Sequence, residues 1–514
     1  MTDLRSSLSP AEARARISAA ITAGDVDTAA ELIGTFVWVL LFDDPIAMRE
    51  LIGRLPASVL QSRPALAMVA SFAAPLALVP SRGLGAPLVP PAVDMDALTP
   101  GERDWYLMAL VVVHRLRSEF REAREVAARV RPRLRRPTEQ QSRVLREFLP
   151  GYFAQLGAAE LLGGDIDQAL ADFDEAATLD PVDSSDTFVR DALIRAAIVH
   201  AVEGSTHEAE RLLAAAHTYP ERADRYGERT AARELLARAL LAVERLDPDA
   251  GDLVDASEAH ADDELWPLRL LLRARWERAH GNHGGVLELV SRARSAHPVP
   301  AGSLAEQVVH HDHVVALVLM DVAEQARGDL EGDPSRLAPL PAIARVRLML
   351  HLDDPAAALQ AARRLAARDR LGPTFRAEAL LLAAWAHELL TGEVHEGYAR
   401  AAGALIAQER LWRVLGLVPP PLRAATGAVP PADAAELLAS ALVPLPEATV
   451  HVTTREREVL RALSAGGSLP EIAHRLHVSV NTVKSQARSA YRRLGVNSRA
   501  AAVTEASRRG LLSP

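Results

Sequence analysis

The 514-residue chain contains no cysteine and a single lysine, Lys484. Without cysteine there can be no disulfide, thiolate metal site or cysteine nucleophile, a composition that fits a reducing cytoplasm. A phosphate-binding loop of the form G-x4-G-K-[ST] is excluded as well, because Lys484 follows Val483 rather than glycine. Schiff-base lysines, kinases and lysine-dependent phosphoacceptor sites fall by the same count. Nor is there a run suited to a membrane. The most apolar stretch, 64–81, carries Pro64, Pro75 and Pro80 and is rich in alanine, which reads as buried helix rather than a span of ~20 strongly apolar residues. The opening MTDLRSSLSPAEARAR places acidic and polar residues where an export signal needs a basic patch and an apolar run. A cytoplasmic protein with no membrane partner is expected.

What is present is apolar residue, at 49%, and arginine. A chain this long exceeds one compact core and divides into about two to four units or one extended array. Its net charge of −9 is unevenly spread: residues 450–514 hold eleven Arg or Lys against four Glu, a net of +7, which leaves −16 for the remainder. A basic end on an acidic body is the asymmetry expected when one end meets a polyanion and the rest must not adhere to it.

From about residue 10 to 415 the sequence reads as Ala- and Leu-rich helical segments broken by short turns, without alternating β-branched runs. The predicted class is all-α. One phrase recurs: a helix, a turn carrying Gly or Asp, then a helix rich in Ala, Glu and Arg. Its clearest copy runs from Tyr152 to Pro181, turning at Gly164-Asp165; others turn at Gly24-Asp25, Gly204-Ser205, Gly281-Asn282, Asp353-Asp354 and Gly392-Glu393. Intervals of 40, 39 and 72 residues, the last fitting two units of 36, resemble a degenerate tetratricopeptide array. Stacked helix pairs of that kind form a superhelix whose concave side is a binding surface. Residues 1–100 are less regular, 101–417 form the repeats, and 418–448, with its proline pairs around one short helix, reads as a semi-rigid linker.

Residues 449–514 predict four helices. Thr453 with Glu456, and Ser468 with Glu471, are capping boxes; Gly466-Gly467 ends the first helix, and Ser479 caps the third with Val478 stapled against Val483. On that third helix Val483, Ala487, Ala490 and Leu494 share one face, leaving Asn481, Lys484, Ser485, Arg488 and Arg492 on the other. A polar, cationic stripe starting at a helix N-terminus is what a recognition helix presents to the major groove. The residues Thr453, Arg455, Glu456, Glu458, Val459, Leu460, Gly466, Glu471, Ile472, Ala473, Leu476, Ser479, Thr482, Val483 and Lys484 resemble the LuxR-type helix-turn-helix without insertion. The resemblance implies base contacts from Lys484, Ser485 and Arg488, phosphate contacts near Thr482, and a last helix, 499–509, that pairs two subunits. Gln486 and Ala490 depart from it, standing where the family has histidine and a larger apolar residue.

His310, His311, Asp312 and His313 form the densest histidine cluster, but no further ligand follows at a metal-site spacing, and solvent-facing or capping roles are expected. Asp43-Asp44 reads as a turn before Pro45. No catalytic, metal or cofactor constellation emerges. The expected protein is a sequence-specific transcriptional regulator similar to large maltose-activator-type regulators without their nucleotide-binding module. Its expected partners are double-stranded DNA, a second copy, RNA polymerase, and a small-molecule or protein effector on the repeats. The alternative is a helical scaffold whose helix-turn-helix contacts protein.

Overall fold

The computed structural model describes residues 9–63, 66, 94–96, 98, 100–136, 149–179, 186–222, 225–259, 263–330, 337–440, 443, 454–493, 496, 498–508 and 512. The chain divides into two compact units, Met1–Pro444 and Leu445–Pro514. Among the described residues every regular element is helical, as the lack of alternating patterns predicts. None of these helices is long and apolar enough to cross a membrane; most of the 64–81 stretch lies outside the described residues.

The first unit is a succession of helix hairpins. It begins with α1 (Pro10–Thr22) and α2 (Val26–Asp43), followed by the short α3 (Pro45–Gly53) and α4 (Ala57–Ser62). Next come α5 (Pro100–Leu116) with α6 (Phe120–Arg135), α7 (Leu149–Leu162) with α8 (Ile166–Thr178), and α9 (Asp186–Glu203) with α10 (Thr206–Ala216). The chain continues through α11 (Arg225–Arg245) with α12 (Ala250–Ala259) and α13 (Trp266–Ala279) with α14 (His283–Ala296). Beyond α15 (Leu304–Leu319) and a 3-10 segment, Ala323–Leu330, lie α16 (Pro339–His351), α17 (Pro355–Ala366), α18 (Pro373–Thr391) and α19 (Glu396–Glu409).

One local device makes most of these turns. The six turns legible in the sequence each hold a left-handed residue, Gly24, Gly164, Gly204, Gly281, Asp353 or Gly392, with φ between 68° and 87°. In four of them the next residue caps the following helix: Asp25, Asp165, Asn282 and Asp354 accept the backbone N–H of Thr28, Gln168, Gly285 and Ala357. Further turns use left-handed Ser118, Leu246, Asp321 and Arg410, residue types that a search for glycine passes over. Asp321 divides the 72-residue interval into 40 and 32. Glycine is required for a second reason at Gly164 and Gly204, where a Cβ would collide with Gln307 and with Thr374.

Those two collisions mark where the array packs back on itself. The Thr206 hydroxyl donates to the Glu409 carbonyl at 2.7 Å, Arg410 pairs with Glu210 at 2.8 Å, and Arg413 pairs with Glu244 at 2.7 Å. The interior is polar as well as apolar. Arg131 donates to both Asp172 and Glu160, and Asp191 accepts from Arg195, Arg233 and the Tyr226 hydroxyl, all of them buried. Burial alone would raise the Asp191 carboxyl, but the two guanidiniums hold it well below the ordinary range. Two expectations change here. His311 and Asp312 are not solvent-facing: Arg278 and His311 both bind the buried Asp312 carboxylate at 2.7 Å. The proline-rich segment is not a free linker through its length, because the first unit extends to Pro444. After α20 (Trp412–Leu415) the segment forms α21 (Pro420–Ala425) and α22 (Ala432–Ser440), and it buries Val418, Leu422, Ala434 and Leu438 in the array's core. Paired prolines fix φ at helix starts as readily as they stiffen a linker.

Glu203, on the last turn of α9, gives the unit a pH dependence. Desolvation, with Asp167 adding repulsion, pushes its carboxyl up to about 7. The unfolded chain therefore releases this proton first as pH rises from the ordinary value toward 7, and stability falls across that window. Glu203→Gln should leave the melting temperature at pH 4 nearly unchanged and stabilise the protein at pH 8, by at most about 3 kcal/mol. Equal melting shifts at both pH values would contradict this account.

Candidate nucleic-acid interface

The second unit is built from α23 (Thr454–Ser464), α24 (Leu469–Arg475), α25 (Val480–Arg493) and α26 (Arg499–Arg508). Its apolar core is small: Val459, Leu460 and Leu463 from α23, Ile472 and Ala473 from α24, Val483, Ala487 and Ala490 from α25, and Ala502 and Ala506 from α26, and Glu456 on α23 is buried as well. Thr453, proposed to cap α23, and Leu494, proposed for the core face, lie outside the described residues. Left-handed Gly466 and Gly467 end α23 as their sequence predicts. The second capping box is formed, with the Ser468 N–H donating to Glu471 at 2.8 Å. That bond holds the Glu471 carboxyl below its ordinary value.

The turn between α24 and α25 passes through His477 at φ 53°. Ser479 then caps α25, its Oγ accepting the Thr482 N–H at 3.0 Å while the two hydroxyls lie 2.8 Å apart. Val478 and Val483 flank the cap within the same apolar cluster, the expected staple. The faces of α25 separate as its periodicity requires. Val483, Ala487 and Ala490 are buried, whereas Asn481, Thr482, Lys484, Ser485 and Arg488 are exposed side by side. The side chain of Arg492 lies outside the described residues. Ala490 is fully buried and Gln486 half-buried, so the two departures from the family pattern face inward or edge-on rather than along the exposed stripe.

Sequence reasoning missed how the domain's helix ends are satisfied. Arg499 donates to the carbonyls of Gly467 at 2.6 Å and Leu463 at 2.7 Å, and Arg475 donates to Gly466 at 3.0 Å. These bonds occupy carbonyls that the end of α23 leaves without intrahelical partners. The Arg499 contacts cross 32 and 36 residues of sequence, beyond the reach of any local capping pattern. What they produce is a short, rigid three-helix frame that presents one exposed polar face of α25.

Residues 451–506 match the family described as bacterial regulatory proteins of the luxR family. The C-terminal unit is a LuxR-family helix-turn-helix domain. Over 61 residues it is 49% identical to the probable transcriptional regulatory protein NarL of Mycobacterium tuberculosis, in strain CDC 1551 / Oshkosh and equally in strain H37Rv. Each match covers 12% of this chain and 28% of the relative, so the likeness is to one domain. No solved structure matches the chain.

The role of Arg499 in the LuxR-family domain is open to direct measurement. Arg499→Ala should destabilise the 445–514 unit by about 1–3 kcal/mol, the usual consequence of unsatisfied, charge-assisted hydrogen bonds. Urea unfolding followed by circular dichroism reads this, and an unchanged midpoint would show that water replaces the guanidinium without loss.

Proposed function

We propose that the protein is a cytoplasmic, sequence-specific transcriptional regulator in which the LuxR-family domain reads DNA and the helical array receives the regulating signal. The observation that carries this reading is the exposed face of α25, where Asn481, Thr482, Lys484, Ser485 and Arg488 are free of the core and the helix N-terminus lies at one end of the stripe. Lysine and arginine there suit guanine edges and phosphates, and Asn481 suits adenine. Arg492, the next position on that face by helical spacing, extends the stripe along the groove. The net charge of +7 over residues 450–514 supplies the sequence-independent part of the affinity.

A domain with so few base-reading positions gains tight binding by pairing half-sites, and α26 is assigned as the dimer contact on family resemblance. The array is read as tetratricopeptide-like on its repeated hairpins. The exposed side of α17 carries Leu359, Gln360, Arg363 and Arg364 along an open surface, one place where an effector could meet the array. Activation or repression would then proceed through RNA polymerase at the bound promoter.

Genome-wide mapping of bound DNA with the full chain should enrich paired sites. On such a site, Lys484→Ala and Arg488→Ala should each lose about 1–3 kcal/mol of discrimination between the preferred and a substituted base. Affinity of the parent protein should fall steeply with salt. Unchanged affinity and base preference in both variants would favour a helix-turn-helix that contacts protein instead.

A further inference from the structure

Inside the first unit, α13, α15, α18 and α20 surround an enclosed cavity of ≈ 10 Å³. Its polar lining is Arg275, Arg278, His311, Glu378 and Arg413, with exposures of 2%, 6%, 6%, 5% and 4%. The charges around it do not balance. Among the described residues, counting Arg347, which does not line the cavity but lies 3.8 Å from Glu378, four buried guanidiniums, those of Arg275, Arg278, Arg347 and Arg413, meet three buried carboxylates. Glu244 is taken by Arg413 at 2.7 Å and Arg275 at 3.0 Å, and Asp312 by Arg278 at 2.7 Å. Glu378 lies 3.5 Å from Arg413 and 3.8 Å from Arg347, too far for the contact distance of a charge-assisted hydrogen bond. His311 gives its Nδ1 side to Asp312, and burial pushes its pKa down, so it brings no negative charge. Burial likewise pulls Arg275 and Arg347 down to about 10, against the opposing pull of Glu244 and of Glu378. A buried charge in excess of its partners is strongly unfavourable unless something neutralises it.

We propose that this cavity binds one small monovalent anion of chloride size. Three guanidinium groups brought to one cavity by two helices, Arg275 and Arg278 from α13 and Arg413 from α20, are the chemistry that selects an anion over water. The volume admits about one water-sized particle, which leaves out phosphate, carboxylates and any organic effector. Because its arginines come from α13 and α20, the site exists only while the array is packed back on itself, and the bound ion stabilises that form in proportion to its occupancy. This site is separate from the α25 face and does not depend on DNA binding.

The test uses the full chain, melted in sodium chloride and in sodium gluconate at matched ionic strength, gluconate being too large to enter. Chloride should raise the melting temperature along a saturating curve, bromide should reproduce it, and gluconate should not. Glu378→Gln keeps the side-chain shape and removes one negative charge, so the half-saturating chloride concentration should fall at least roughly tenfold. Crystals of the unaltered protein grown in bromide should show an anomalous peak beside Arg275, Arg278 and Arg413. Coincident chloride and gluconate curves, a half-saturation unmoved by Glu378→Gln, or bromide crystals without that peak would each overturn the proposal.

Discussion

Glu244 is fully buried on α11, and its carboxylate accepts hydrogen bonds from Arg413 at 2.7 Å and from the Thr374 hydroxyl at 3.2 Å, with Arg275 at 3.0 Å. The three partners stand on α20, α18 and α13, so a single group joins helices as far as 169 residues apart. Desolvating a carboxylate costs several kcal/mol, and that cost is recovered only if its lone pairs are filled. The pairing is therefore a poor source of net stability and a strong selector of arrangement. A hairpin stack with another curvature would keep most of its apolar burial but strand Glu244, Arg275 and Arg413 without partners. Loop-closure entropy barely opposes such distant contacts, since it grows only with the logarithm of length.

The buried cations of this interior are arginines, which lysine could not replace. A guanidinium offers five donors in a fixed plane and holds its charge when buried, whereas an ammonium offers three and readily loses its proton. Arg131 uses that geometry to bind two oxygens of Asp172 and one of Glu160 at once. Arg275 reaches both Glu244 and the Val202 carbonyl, and Arg413 spans Glu244 and Glu378. A lysine in any of these places would leave acceptors unfilled. On the exposed face of α25 that constraint is absent, and the chain's single lysine stands there.

Local chemistry was the legible part of this sequence. The six Gly or Asp turns, the Ser468 and Ser479 caps and the division of α25 into two faces each depend on residues within about four positions of one another, and each is found in the structure. What pattern reading missed depends on distant partners. His311 and Asp312 look like solvated polar residues until Arg278 arrives from another hairpin. Leu422 and Leu438 look like parts of a linker until the array supplies a surface to bury them. Arg499 looks like a solvated charge at a helix start, yet it seals the end of α23. Ser118, Leu246, Asp321 and Arg410 fail for a different reason: local backbone bonds at the helix ends close these turns without the glycine that usually marks a left-handed position.

The charged interior also bears on how any signal could pass through the array. Opening it by a small amount would separate Glu244 from Arg413 before water could solvate either, so partly opened forms are penalised more than fully opened ones. If such an element were to change at all, discrete arrangements would be favoured over gradual deformation. An effector that acts through the array must then bind its two arrangements unequally, and tightness of binding alone achieves nothing. A ligand confined to one hairpin, making the same contacts in both arrangements, would saturate its site and leave the equilibrium where it was. Contacts between hairpins distant in sequence, such as Thr206 with Glu409 and Glu210 with Arg410, are the ones that any such change of arrangement would have to break.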